Sequence, residues 1–163
     1  ENVDPRYLNL TIERMEDQLL TRTLFVPPGL KSNAGLDVFY MRPSRYFPSK
    51  TPTSTIIDNL VYVMESMMQQ NDESCADGIG FLANMSDWTQ NNFSVSYCLE
   101  FMKTLQGGSG SCALPVRVKL FLIVDPPSWF GTIWTIMLQM LSVEFTNRVR
   151  IVSSSNVGRF MMP

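Results

Sequence analysis

The chain has 163 residues, enough for one domain with a sizeable core. Its 45% hydrophobic and 17% charged residues exclude a disordered polymer, and a net charge of −2 excludes a duplex-wrapping nucleic-acid binder, which needs a basic stripe. Histidine is absent, so no imidazole can act as general base, metal ligand or proton shuttle.

The opening ENVDPRYLNL is polar, has no apolar run of a signal peptide and lacks an initiator Met, so the chain is expected to start inside a longer protein. The charged stretch 5–18 reads as one helix of a neighbouring element. Residues 1–20 are therefore expected to be the remnant of a helical region, and 21–163 the main domain. RTLFV (22–26) reads as a short strand closed by PPG, and LDVFYM (36–41) as a second strand stopped by RPSRYFP. In the next segment Ile56, Ile57, Leu60, Val61, Met64, Met67 and Met68 recur at helical spacing, with Thr53 or Ser54 as the expected cap.

GIGFLAN (78–84) is a short apolar run and reads as a buried strand. From about Phe93 a second amphipathic helix places Phe93, Tyr97, Cys98, Phe101, Met102 and Leu105 on one side. GGSGS (107–111) ends it as a flexible connection. VRVKLFLIV (116–124) is apolar on both faces in its second half, the signature of a central strand covered on both sides. RVRIV (148–152) is the last strand. Strands alternating with helices predict an α/β domain, a largely parallel β-sheet with flanking helices.

Between the last two strands, residues 126–143 carry no charge. Pro126 and Pro127 suit a helix start, where the missing N–H costs nothing. At roughly 100° per residue, Ser128, Gly131, Thr132, Thr135, Gln139 and Ser142 share an arc of about 100°. Trp129, Phe130, Ile133, Trp134, Ile136, Met137, Leu138, Met140 and Leu141 fill an arc of about 200°. One core needs an apolar stripe about half that wide, so this helix needs two apolar neighbours. A membrane span, a helix buried in the core, and a helix between an internal cavity and a bilayer are the three competing readings.

No catalytic machinery emerges. Cys75, Cys98 and Cys112 are widely spaced, form no zinc or CxxC pattern, and fit a reducing compartment. Asp72, Glu73 and Asp77 lack a nucleophile beside them and read as a wet loop. GGSGS lacks the Lys-Ser/Thr end of a phosphate-binding loop. The glycosylation-like triplets at Asn9, Asn84 and Asn92 read as chance in a chain rich in Asn, Ser and Thr. Catalytic residues, metal ligands and cofactors are all expected to be absent.

LPVRVKLFLIVDPPSWFGTIWTIMLQMLSVEFTNRVRIV (114–152) resembles the carboxy-terminal half of the CRAL-TRIO lipid-binding domain, the family of the cellular retinaldehyde-binding, α-tocopherol transfer and yeast secretory phosphatidylinositol transfer proteins. The shared features are Pro115 and Arg117 opening a strand, the turn from Asp125 to Pro127, Phe130, and Arg148 before the last strand. GLDVFYMRPSRYFP is similar to the family's Gly-Arg-Pro-Val strand, with Leu36 and Asp37 in place of Arg-Pro. The resemblance spans roughly residues 24–152 and implies a lipid pocket under a mobile gate helix, cargo exchange with membranes, and no bond chemistry. Phosphatidylinositol-binding members carry a Glu where Val116 stands, and phosphatidylcholine binders place small hydroxyl residues where Ile79, Phe81 and Leu82 stand. A mostly apolar cargo is favoured.

On this resemblance the lipid-binding residues are expected to be Phe39, Met41, Phe81, Phe121, Ile123, Trp129, Phe130, Ile133, Trp134 and Met137; plain core packing explains any one strand residue at least as well, whereas the gate-helix residues outnumber what one face can bury. Eleven methionines suit a deformable cavity or simple gap filling. Arg42, Arg45 and Lys50 lie in a turn where each would add about 1 kcal/mol near an anionic surface, and a solvated loop is the plainer account. Arg148 keeps the family's positive position and completes the headgroup or membrane set. The expected partners are a lipid or other hydrophobic small molecule, a membrane surface met transiently, and other domains of a parent protein, in a cytoplasmic, peripheral location. A regulatory module that docks without carrying cargo is the alternative, and an enzyme has little support.

Overall fold

The computed structural model describes residues 9–70, 77–106 and 117–162. GGSGS, Cys75, Cys112, Asp72, Glu73, Pro115 and Val116 lie outside them. Five strands form one sheet in the order β1-β2-β3-β4-β5: β1 Leu24–Phe25, β2 Asp37–Met41, β3 Ile79–Asn84, β4 Val118–Val124 and β5 Val149–Val152. β1 pairs antiparallel with β2, and all other pairs are parallel. The α/β, largely parallel expectation holds. β4 is an interior strand, paired on both edges and buried on both faces in its second half, as its apolar run requires.

The parallel register aligns Phe39 with Phe81 and Phe121, and Met41 with Ala83 and Ile123. Side chains alternate along a strand, so these six share one face. The helices are α1 Ile12–Leu20, α2 Thr53–Gln70, α3 Val95–Gln106, α4 Phe130–Leu138 and α5 Val143–Thr146. From β2 to β5 the chain adds each strand beside the last. Crossovers of one hand that advance in one direction deliver every helix to the same face. The main core reflects this, joining Phe39, Phe81 and Phe121 to Ile57, Leu60 and Met64 of α2, Phe101 of α3 and Phe130 of α4.

The opposite face, with Val38, Leu82, Leu122 and Val124, is covered by the carboxy-terminal segment instead of a long helix. There Val157, Phe160 and Met161 pack on it beside Leu30. That segment is clasped to an early loop: Asn33 N–H donates to Phe160 O at 2.7 Å, and Met162 N–H to Lys31 O at 3.0 Å.

Local chemistry shifts several element ends from their expected places. α1 starts at Ile12, well after Pro5, because Thr11 caps it by accepting from Arg14 N–H at 3.4 Å. It runs to Leu20, past Gln18, buries Met15 and packs against α2. Neither Thr53 nor Ser54 precedes α2 as its cap. Both are helical, Pro52 O accepts the N–H groups of Thr55 and Ile56, and the Thr53 hydroxyl meets Ser96 Oγ at 3.4 Å. Asn92 is buried and donates both amide hydrogens inward, to Ser44 O and Tyr46 O, so its glycosylation-like triplet marks a structural residue.

Asp125 leaves β4 with φ +48°, a left-handed conformation that Asp and Asn tolerate better than other side chains. Its N–H donates to Val152 O at 3.0 Å, and its Oδ1 accepts from Ser154 N–H at 2.9 Å. Asp125→Ala loses that acceptor and keeps the awkward backbone, so it should destabilise the fold by about 2 kcal/mol. Asp125→Asn should be nearly neutral, and urea denaturation of the two variants checks the difference.

Candidate functional site

Between the helix-covered face of the sheet and helices α3 and α4 lies a cavity of about 70 Å³. One water needs roughly 10–15 Å³, so the space exceeds a packing defect. Its floor is Met41, Ala83, Phe121 and Ile123 from β2, β3 and β4. Tyr97, Cys98, Phe101 and Met102 of α3 form one wall, and Phe130, Ile133 and Met137 of α4 form the roof. Loop residues complete the lining, chiefly Pro43, Tyr46, Met85, Trp88, Asn92 and Ser94, and leave the space partly open to the surface. Among the described residues no charged side chain lines it. Four methionines do, and their flexible thioethers let such a wall give way to an irregular guest.

Six of the ten expected lipid-binding residues meet at this cavity: Met41, Phe121, Ile123, Phe130, Ile133 and Met137. The other four stand behind them. Phe39 is fully buried and stacks on Phe81 at 5.1 Å, which in turn stacks on Phe121 at 5.5 Å. Trp129 stacks on Trp88 at 4.6 Å, and Trp134 on Phe130 at 6.0 Å. Sequence reading left the loop residues Tyr46, Met85 and Trp88 out of the site. Loops have no periodicity to reveal them, whereas the α3 residues were visible as an apolar helix side and only their role was missed.

The roof helix has two apolar flanks. Phe130 and Met137 are buried, yet Ile136 is 55% exposed, Leu138 38% and Met140 41%, and Val143 on α5 is 79% exposed. Gly131, Thr132, Thr135 and Gln139, on the expected polar arc, all face water. α4 is much shorter than the apolar run, because Gln139 N–H and Met140 N–H turn back to Ile136 O and Met137 O in a tight final turn. Ser142 N–H then donates to Gln106 Oε1 at 2.7 Å, tying the end of this segment to α3. Among the described residues no helix is long and apolar enough to cross a membrane, which removes the spanning reading. The exposed flank equally removes a helix buried on all sides.

The four basic residues do not form one patch. The Arg42 guanidinium lies 5.4 Å from the Tyr40 ring centre and 5.9 Å from that of Phe25. Arg45 Nη1 donates to Thr21 O at 3.4 Å, and Lys50 sits 5.3 Å from the Phe47 ring centre. All three follow the carboxy-terminal end of β2. Arg148 precedes the parallel β5, at the other end of the sheet, where it donates to Val118 O at 2.8 Å and pairs with Glu144. Among the described residues no group of Cys, Asp and Glu is placed to hold a metal ion.

Burial pushes the Cys98 thiol up to about 11 and raises the Tyr97 phenol, with Cys98 and Tyr46 adding to the latter.

A family model described as the CRAL/TRIO domain matches residues 24–161. The chain is 28% identical over 166 residues to the mouse alpha-tocopherol transfer protein-like, covering 96% of the chain and 46% of that protein. It is 26% identical over 164 residues to the human protein of the same name, with 95% and 46% covered. It is 23% identical over 132 residues to the mouse tyrosine-protein phosphatase non-receptor type 9, covering 81% of the chain and 21% of the phosphatase. The crystal structure of Sfh5 superposes with a TM-score of 0.63 at 10% identity, over 99% of this chain and 53% of that one, a likeness of fold. The chain thus spans about a fifth to a half of the length of these proteins.

Two measurements probe the geometry. Met137→Ala should cost about 2–5 kcal/mol in thermal or urea unfolding, while Ile136→Ala, one residue away on the wet flank, should stay within about 0.5 kcal/mol. The raised folded pKa of Cys98 means its contribution to stability is complete below about pH 9 and is lost as pH rises toward 11, because the unfolded thiol ionises first. Cys98→Ala should flatten that part of the alkaline decline.

Proposed function

The chain belongs to the CRAL/TRIO domain family of lipid-binding domains, and on that premise we propose that it takes a hydrophobic lipid into the cavity beneath α4 and exchanges it with membranes by displacing that helix. The observation that carries this reading is α4 itself, with one flank on an apolar cavity and the other in water. Full burial of a large apolar side chain is worth roughly 1.5–3 kcal/mol, so Ile136, Met140 and Val143 gain from contact with acyl chains. A ligand inside and a bilayer outside account for both flanks at once. On the same reading the domain is a cytoplasmic, peripheral membrane protein that performs no bond chemistry. Arg42, Arg45 and Lys50 would meet anionic headgroups, residues 1–20 would continue a preceding helical region, and other domains of a longer parent would act beside it.

The alternative is a regulatory module that docks on membranes without shuttling cargo. The small volume of the cavity favours it, since about 70 Å³ admits an alkyl chain only if the methionine wall yields. Organic extraction of the purified protein and mass spectrometry separates the two: a co-purifying lipid supports the carrier, and its absence together with no transfer between liposomes supports the docking module.

Ile136→Asp combined with Met140→Asp should slow lipid transfer between liposomes by about tenfold or more, with secondary structure intact; transfer at the wild-type rate would remove the helix from the mechanism. Replacing Arg42, Arg45 and Lys50 together by Ala should weaken sedimentation with anionic liposomes, and unchanged sedimentation would free these residues of a membrane role.

A further inference from the structure

The strand β5 closes the sheet and pairs with β4 alone. Phe121 N–H donates to Arg148 O and Asp125 N–H to Val152 O, both at 3.0 Å, so the even-numbered residues of β5 turn their peptide groups inward to β4. Peptide groups alternate along a strand, and Val149 and Ile151 therefore turn theirs outward, to the open edge. An edge of this kind is a template for another strand. Ile151 adds an apolar side chain beside it that is 47% exposed.

The edge is not bare. Arg150, exposed in the middle of the strand, curls its guanidinium round to it, and Nη1 donates to Val149 O and Asn147 O, each at 2.7 Å. The strand's own side chain thereby occupies one outward carbonyl and sets a positive charge at the edge. Among the described residues Arg150 forms no ion pair, unlike Arg148, which is held by Glu144.

We propose that the β5 edge is a latent pairing surface for a second copy of this chain, and that Arg150 is the guard that keeps it shut. The edge is self-complementary. A copy related by a two-fold axis through Arg150 runs antiparallel, with Val149 opposite the partner's Ile151 and Ile151 opposite the partner's Val149. Each of these two pairs can exchange both of its backbone hydrogen bonds, and the apolar side chains of each pair meet on the helix-covered face. Arg150 obstructs this twice. Its guanidinium fills Val149 O in both copies, which takes one bond from each pair. The axis also brings Arg150 opposite the partner's Arg150, and like charges directly opposite across strands repel. Because β5 has only 4 residues, the contact is short, and one side chain suffices to control it.

Sedimentation equilibrium of the purified protein tests the guard. The wild type should stay monomeric. Arg150→Thr frees the carbonyl, removes the charge and suits a strand, so it should self-associate about tenfold to a hundredfold more tightly than the wild type. Arg150→Val should do the same, and it serves alone if the Thr variant does not fold. Ile151→Pro locates the contact: the Ile151 N–H points outward, so proline there spares the ladder to β4 and removes a donor that the dimer needs. Arg150→Thr combined with Ile151→Pro should return to the monomer. Amide hydrogen exchange reads the same contact without the second substitution, with the Val149 and Ile151 N–H groups protected in the Arg150→Thr dimer and open in the wild type. Arg150 variants as monomeric as the wild type would overturn the inference. So would a wild type that dimerises as tightly as they do, a dimer that survives Ile151→Pro, or a dimer that leaves those two amides unprotected.

Discussion

The direction of strand addition governs this molecule. Because β2 to β5 are laid down in order, connections of one hand bring α2, α3 and α4 to a single face. Three helices on a narrow parallel sheet cannot all bury their full circumference. α2 and α3 take the middle of the face, and α4, arriving last after a strand next to the edge, roofs what remains. The cavity and the wet apolar flank are two results of that one arrangement. Packing α4 deeper would close the first and need a fourth layer to cover the second.

The composition of the cavity wall follows from the strands beneath it. Parallel strands covered on both faces must be apolar throughout, so floor positions are filled by Met41, Ala83, Phe121 and Ile123 and offer no hydrogen-bonding group. Polar chemistry can enter only from loops at the strand ends and from α3. Those parts bring Tyr46, Trp88, Asn92, Tyr97 and Cys98, and burial raises the Cys98 thiol further above its ordinary value. Arg148, at the far end of the sheet, is held by Glu144 and a strand carbonyl.

Much of this was legible before any coordinates. Period-two and unbroken apolar runs located all five strands, and the register then placed Phe39, Met41, Phe81, Phe121 and Ile123 on one face. The helical wheel of residues 128–142 separated polar from apolar sides correctly, and its excess apolar arc is visible as Ile136, Leu138 and Met140 in water. What could not be read was depth. Phe39 and Phe81 carry the same pattern as Phe121, and only three-dimensional packing puts them behind the cavity instead of on it. Tyr46 and Trp88 were missed because loop residues obey no period, and the backbone at Tyr46 is held by Asn92, a contact across more than forty residues. Helix ends moved for local reasons, a threonine cap at α1 and a tight closing turn at α4.

Asp125 stands at the edge where the two sides of the sheet meet. From it the chain proceeds to the roof helix on one side, while its carboxylate grips Ser154, the first residue of the segment that blankets the other side. A pull on either side is therefore felt at this root. Levering the roof outward strains the blanket's first turn, and peeling the blanket away slackens the roof's mooring, so front and back of the sheet share one mechanical pivot.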